Sequence, residues 1–433
     1  MKKILFITYY WPPSGGAGVQ RSIKFVKYLP EFGIEPVVLT VNEKYASYPL
    51  LDETLSKEIP HNIEIYKTKS VEALKLLSLF TNKKNIPHGG FANSNKEKPF
   101  QKVLRYVRGN FFIPDARIGW IRYAEKAAAE IINKEKIDTV FITSPPHSSQ
   151  LIGLRLKSRF KIRWIADLRD PWTDIYYYKD LLHSNRSAQK DANYEMEVLR
   201  NADEVITVSL PIENIFLKKL SNPSSSKFHI IPNGFDESDF QNNVKISDNI
   251  FQITYVGSIA DSYKPEIFFE VMKRVVDEFD DVKFRLNFVG SIPASVNQLI
   301  NLNRLDKITE FISYVSHEKA IMYMQESTAL LLLIPDVVNN DGILTGKLFE
   351  YLASRRSVIG IGPVNGAAST ILNECDAGKM FERNDPDGLY SYLKTLILQW
   401  KEKKEFKNTN LNHLQYSRKG LAKKLASIIL NKN

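Results

Sequence analysis

Short apolar runs alternating with helix-length segments recur along almost the whole chain, and this alternation constrains the fold more than any other feature. ILFITYY, PVVLTV, DTVFIT, IRWIADL, DEVITVS and FHIIP fall in the first half, and FQITYVG, FRLNFVG, ALLLLIP and SVIGIG in the second. Repetition of this kind predicts parallel βαβ units with right-handed crossovers, hence α/β doubly wound sheets. The polar stretch DESDFQNNVKISDN, 236–249, holds little that can enter a core, and a fresh strand begins after it. The reading is therefore an N-terminal domain over 1–236, a linker over 237–249, a C-terminal domain over 250–405 and a closing helical segment over 406–433.

A chain of 433 residues, 43% hydrophobic and 25% charged, is large enough for two cores. Its single cysteine, Cys375, excludes an internal disulfide and a cysteine metal cluster, and reads as a buried thiol in a reducing cytoplasm. MKKILFITYY begins like a secretion signal, but the apolar run is short and WPP stands where a cleavage site would be, so it reads as a first core strand. No apolar stretch approaches the roughly 20 residues that span a bilayer. The net charge of +10 is uneven: 81–137 carries 12 Lys/Arg against 5 Asp/Glu, and 401–433 carries 9 against 2. Such patches suit an anionic membrane surface, although solvated helix faces look the same. Nucleic acid is disfavoured because no DNA- or RNA-binding module accompanies the charge. The polar segment 79–101 predicts a mobile loop. Before it, VEALKLLSLF over 71–80 predicts a short helix whose leucines and phenylalanine either pack in a core or dip into a lipid interface.

The chemistry-bearing residues fall at strand ends, where open α/β sheets bind ligands. WPPSGGAGVQR, 11–21, follows the first strand. Its Gly16-Ala17-Gly18 begins like a dinucleotide fingerprint, but Arg21 stands where the third glycine belongs. A loop in which Gly15 and Gly16 approach a phosphate fits better, with a structural turn as the alternative. SPPHSSQ places His147 at a strand end and a helix start. ADLRDPWTD gathers Asp167, Arg169, Asp170 and Asp174, some expected to pair with one another, with Asp170 either functional or a turn former before Pro171. YVGSIADSYK supplies Gly257, Ser258 and Lys264, the lysine a point charge for a phosphate. In NNDGILTGKLFEYLA, the backbone amides around Leu344, Thr345 and Gly346, together with Lys347, suit a diphosphate, and Glu350 suits a ribose diol. Thr345 as an ordinary N-cap and Glu350 as a dipole-favoured acid is the plainer reading.

In this order, PPSGGAGVQR, SPPHSSQ, ADLRDPW, IPNGFD, YVGS and GKLFEYLA resemble the retaining nucleotide-sugar glycosyltransferases of family 4, which have the GT-B architecture. The resemblance covers essentially the whole chain. It implies two Rossmann-like domains facing across a cleft, the first taking the acceptor and the second the nucleotide sugar, with the last helix returning to the first domain. It further implies that Gly15 and Gly16 approach the donor diphosphate, that His147 meets the donor sugar, that Lys264 holds the diphosphate and that Glu350 binds the ribose. Retention would let the leaving phosphate accept the nucleophile's proton, with Asp170 orienting the acceptor. No metal and no cofactor beyond the donor substrate is expected. Bacterial relatives of this kind build surface polysaccharide, lipopolysaccharide or lipid-linked glycan, which implies a cytoplasmic protein, peripheral on the inner face of the membrane. Two positions depart from the family: Ser258 replaces a usual arginine and Gly342 a usual glutamate. Lys347 and the main-chain amides of 342–345 are the expected substitutes. The rivals are a GT-B epimerase or hydrolase, and a non-catalytic member that binds sugar nucleotide or a partner transferase.

Overall fold

The computed structural model describes residues 1–72, 99–222, 224–240, 244, 248–402, 408 and 410–431. The loop expected over 79–101 and the lipid-dipping helix over 71–80 lie almost wholly outside the described residues.

Contacts divide the chain into two units, Met1–Pro232 with Arg418–Asn433, and Asn233–Ser417. The sequence reading put these divisions at 236 and 405. Much of the intended linker belongs to the second unit, where the one-turn helix Glu237–Phe240 sets Phe240 edge-on to Phe235, with ring centroids 6.2 Å apart.

The first unit is built on seven strands: β1 Lys2–Ile7, β2 Ile34–Val41, β3 Ile65–Thr68, β4 Thr139–Ser144, β5 Arg163–Leu168, β6 Glu204–Thr207 and β7 Phe228–Ile230. They pair in parallel in the order β3-β2-β1-β4-β5-β6-β7. Both faces are buried, which is why the central strands read as continuous apolar runs. Side chains alternate between two cores. Leu5, Ile7, Val140, Ile142, Trp164 and Ala166 enter one, and Ile4, Phe6, Phe141 and Ile165 the other. Phe6 and Phe141 are register partners whose rings stack at 4.6 Å. The second core is closed by helix Ala17–Tyr28 and by helix Arg418–Ile429, which contributes Leu421, Leu425 and Ile429.

The second unit has six strands: β8 Phe251–Val256, β9 Phe284–Val289, β10 Thr309–Ile312, β11 Ala329–Leu333, β12 Ser357–Ile361 and β13 Gly378–Phe381. Their order is β10-β9-β8-β11-β12-β13, again wholly parallel. Leu331 and Leu333 fill one core, Leu330 and Leu332 the other. Cys375 is buried in the latter, its thiol pushed up to about 12 by burial. Among the described residues no helix is long and apolar enough to cross a membrane.

Each sheet reverses its winding once, between β1 and β4 in the first unit and between β8 and β11 in the second. The crevices beyond the carboxyl ends of those strand pairs are where such sheets hold ligands.

Candidate functional site

Beyond β1 the chain turns through Ser14-Gly15-Gly16 into helix Ala17–Tyr28. The turn is laced to residues 50–52: Ser14 bridges Leu51, the Gly15 N–H donates to the Leu50 carbonyl at 2.9 Å, and the Asp52 N–H to the Pro13 carbonyl at 2.8 Å. A side chain at 15 would crowd Leu50 and Asp52 at 3.0–3.1 Å, so the glycine eases their close approach. The Gly15 amide is thus engaged within this lacing of the turn itself. Gly16, at φ +104°, is the N-cap of the helix, where only glycine is at ease.

Arg21, which breaks the dinucleotide fingerprint, has a structural task. It is fully buried, pairs with Asp167 at 2.8 Å, and donates to the carbonyls of Ile231 and Pro232 at 2.9 and 2.6 Å. Thr143 Oγ1 also donates to Asp167. Asp167 and Asp174 take long-range partners, Arg21 and Lys219, while within 167–174 the charges of Asp167 and Asp170 act on Arg169. Arg169 turns to the end of β4, where its Nε donates to the Ser144 carbonyl at 2.9 Å, and its guanidinium lies where a side chain at 18 would be, which explains Gly18.

Gly15, Gly18 and Arg169 line a cavity of about 590 Å³ at the β1/β4 switch point. His147, at the start of the one-turn helix His147–Ser149, stacks on Trp172 with centroids 4.6 Å apart and planes 16° apart. Its Nδ1 is buried without a protein partner. Burial, helped by Arg169 and Lys219, pushes the imidazole down to about 3, so it is neutral at physiological pH. Ser148 donates its N–H and its hydroxyl to Asp115 at 2.7 and 2.8 Å, which fixes the turn. The Asp170 carboxyl is raised above its ordinary range by burial, against the pull of neighbouring Arg169. Arg117 completes the wall, donating to Glu72 and to the Ser47 carbonyl.

In the second unit Gly257 follows β8, its φ of +116° favours glycine, and a Cβ there would lie 3.2 Å from Lys347 Cε. Lys347 stands in the first turn of helix Gly346–Ser354 and donates to Tyr255 Oη at 2.6 Å, while that hydroxyl donates to the Ser258 carbonyl at 2.9 Å. Its ammonium also lies over the rings of Tyr255 and Tyr263. Burial pushes Lys347 down to about 8, with Glu350 opposing the shift. Thr345 occupies the N-cap, yet its hydroxyl makes no capping bond and is buried without a partner, so the plain N-cap reading does not describe it. Leu344 and Gly346 flank it in the main chain, and Gly342 closes the one-turn helix Asn340–Gly342. Lys264, in the left-handed region at φ +45°, pairs with Asp336 at 2.5 Å across the β8/β11 switch point. Glu350 lies 3.9 Å from His317.

Arg383 is a member of this group that the sequence did not disclose. It follows β13, donates to the Ile334 carbonyl at 2.5 Å and to the Tyr263 carbonyl at 3.4 Å, and lies 3.7 Å from Asp336. It ties the loop carrying Lys264 to the end of β11. Only the contact order of β13 in the sheet brings it there.

Two doubly wound parallel domains of these strand orders define the GT-B class of glycosyltransferase folds. Residues 86–239 match the family model Glycosyltransferase Family 4, so the family resembled by the motifs is also the family that the model finds. Solved structures align end to end. Sucrose-phosphate synthase from Thermosynechococcus elongatus is 14% identical over 100% of this chain and 99% of its own, with a TM-score of 0.61. HepE from Anabaena, solved in complex with UDP-glucose, is 13% identical over 100% of both chains, also at 0.61. The lipopolysaccharide outer core galactosyltransferase WaaB is 13% identical over 100% of both, at 0.59. At these identities the likeness establishes the fold. No curated protein matches the sequence significantly.

Proposed function

We propose that the chain is a retaining, metal-independent glycosyltransferase that moves a hexose or related sugar from a nucleotide-diphosphate sugar to a growing glycan or a lipid-linked acceptor. The observation that carries this reading is the β8/β11 switch point, where Lys264, Lys347 and the start of helix Gly346–Ser354 gather beyond the strand ends. Departure of a nucleotide diphosphate builds negative charge on its terminal phosphate, and fixed cations and amides lower that barrier. Lys264 and Lys347 are assigned this role, with main-chain amides from Gly257 and Ser258 and from Leu344 to Gly346 completing the cradle. Glu350 is assigned the ribose hydroxyls. In the first unit Gly16 offers backbone to a ligand, while the neutral His147 suits a hydrogen bond to a sugar hydroxyl. Retention leaves the proton of the attacking hydroxyl to the leaving phosphate, and Asp170 orients the acceptor. A fall in turnover with unchanged donor affinity in Asp170→Asn supports that role; wild-type kinetics remove it.

Calorimetric titration of UDP, GDP, ADP, CMP and dTDP into the wild type, Lys264→Ala and Glu350→Ala tests the assignment. One nucleotide should bind selectively and be weakened by both substitutions; no binding by any overturns the reading. Ser258 and Gly342 favour a second reading, a non-catalytic sugar-nucleotide binder, which donor binding without transfer across a broad acceptor panel would establish. The likeness to WaaB and the basic segments favour a lipopolysaccharide or other lipid-linked acceptor and a peripheral, cytoplasmic-side location. Flotation with anionic vesicles, compared with neutral ones, should then show binding, and equal behaviour counts against it.

A further inference from the structure

Asp191, on helix Asn185–Asn201, is 1% exposed and carries no part of any motif. Its Oδ1 accepts the Trp172 indole N–H at 2.8 Å and its Oδ2 the Tyr178 hydroxyl at 2.9 Å. Each of those rings is the platform for a histidine. His147 stacks on Trp172, and His183 stacks on Tyr178 with centroids 4.5 Å and planes 17° apart. All five residues line the same cavity of about 590 Å³, within the roughly 300–1,000 Å³ of small-ligand pockets. His147 Nδ1 and His183 Nε2 are both buried and make no bond to protein. One carboxylate thus pins two parallel stacks whose outer rings carry unused hydrogen-bonding nitrogens.

We infer that Asp191 is a positioning residue of the first-unit site: it holds Trp172 and Tyr178 so that His147 and His183 together present a seat for a polyhydroxylated ring, a sugar unit. The inference rests on the transferase reading for the identity of the ligand as a sugar. Stacking on a fixed platform favours one orientation of the imidazole, and a sugar hydroxyl, as donor and acceptor at once, matches a neutral ring nitrogen. Burial, with smaller contributions from the carboxylates of Asp115 and Glu195, raises Asp191 to about 7. Trp172 and Tyr178 act the other way. Near neutral pH the carboxyl is therefore poised between forms, and the two donors are held most firmly when it is ionised.

The test has two arms. In ligand-free protein, the emission of Trp172, isolated by subtracting Trp172→Phe, should change with a midpoint near pH 7, and the change should vanish in Asp191→Asn. Absence of the transition, or its survival in Asp191→Asn, overturns the positioning link whether or not any sugar is transferred. In steady-state transfer, Asp191→Ala should lower kcat by about tenfold or more, and Asp191→Asn, which still accepts from Trp172, should recover most of it. Wild-type kcat in Asp191→Ala overturns the inference. Tyr178→Phe, which removes one bond and keeps the stack, supplies the same reading if the alanine variant does not fold, with a smaller loss expected and wild-type kcat counting against. Failure of every nucleotide to bind would sink the transferase reading separately.

Discussion

Lys347 offers a sharp test, because its charge is variable within an accessible pH range. Burial against Gly257 and the rings of Tyr255 and Tyr263 lowers its pKa to about 8. About nine-tenths of the molecules then carry the ammonium at pH 7 and about one-tenth at pH 9. A nucleotide diphosphate is itself fully ionised above about pH 7, since its last phosphate proton leaves near pH 6. If the diphosphate needs the charged lysine, its affinity should fall by up to about tenfold between pH 7 and pH 9, or about 1.4 kcal/mol. Because the bound anion favours the protonated lysine, binding should also take up protons over this window. Calorimetry of the selective nucleotide in two buffers of different ionisation enthalpy reads both quantities. Lys347→Met should bind weakly and lose the pH dependence above pH 7. Affinity that is flat from pH 7 to 9 in the wild type, or an unchanged slope in Lys347→Met, would refute the reasoning. The same shift has a folding counterpart. The native lysine releases its proton more readily than the unfolded one, so stability should rise with pH between about 8 and 10.5.

Other outcomes follow from the packing. Arg21→Ala removes the salt-bridge partner of the buried Asp167 and should cost about 3–5 kcal/mol in urea unfolding; a loss below about 1 kcal/mol would show that the pair is dispensable. Gly257→Ala forces a side chain into the left-handed region and against Lys347, so it should lose about 1–3 kcal/mol of stability and weaken nucleotide binding, both seen in one thermal-shift series. Gly18→Ala places a methyl 2.3 Å from Arg169 Nη1. It should displace that guanidinium from the Ser144 carbonyl and lower turnover, with donor affinity in the second unit unchanged in calorimetry.

The strands read from the sequence are all present, and those not read share one property. β3, β10 and β13 lie at sheet edges, are four residues long and are only partly buried, as in IYKT and TEFI. A strand covered on fewer sides needs no continuous apolar run, so its signal fades. The loops beyond β1, β4, β5, β8 and β11 were legible because glycine, proline and charge concentrate there. Their pairings were not. Arg21 looked like a defect in a fingerprint, and only the structure brings it to Asp167, 146 positions away. Asp174 likewise turns to Lys219, and Arg383 reaches Asp336 through sheet order. Asp191 sits in the polar run NRSAQKDANYEMEVLRN, where nothing distinguishes it from a solvated helix face. Local periodicity reports which face is buried; a single sequence carries no record of which distant side chain shares that burial.

Helix Arg418–Ile429 gives the first unit an unusual schedule of assembly. Leu421, Leu425 and Ile429 complete a core whose other walls come from Ile4, Phe6, Val26 and Phe141. A nascent chain emerging from the ribosome therefore exposes an unfinished apolar face from the time β7 appears until the whole second unit has been made. Vectorial synthesis would favour the second unit as the first autonomous folder. The early half would wait, open to chaperones, for a closing piece that arrives nearly 200 residues later. A stop codon or proteolytic cut anywhere between the two segments would then damage the unit that had already been translated.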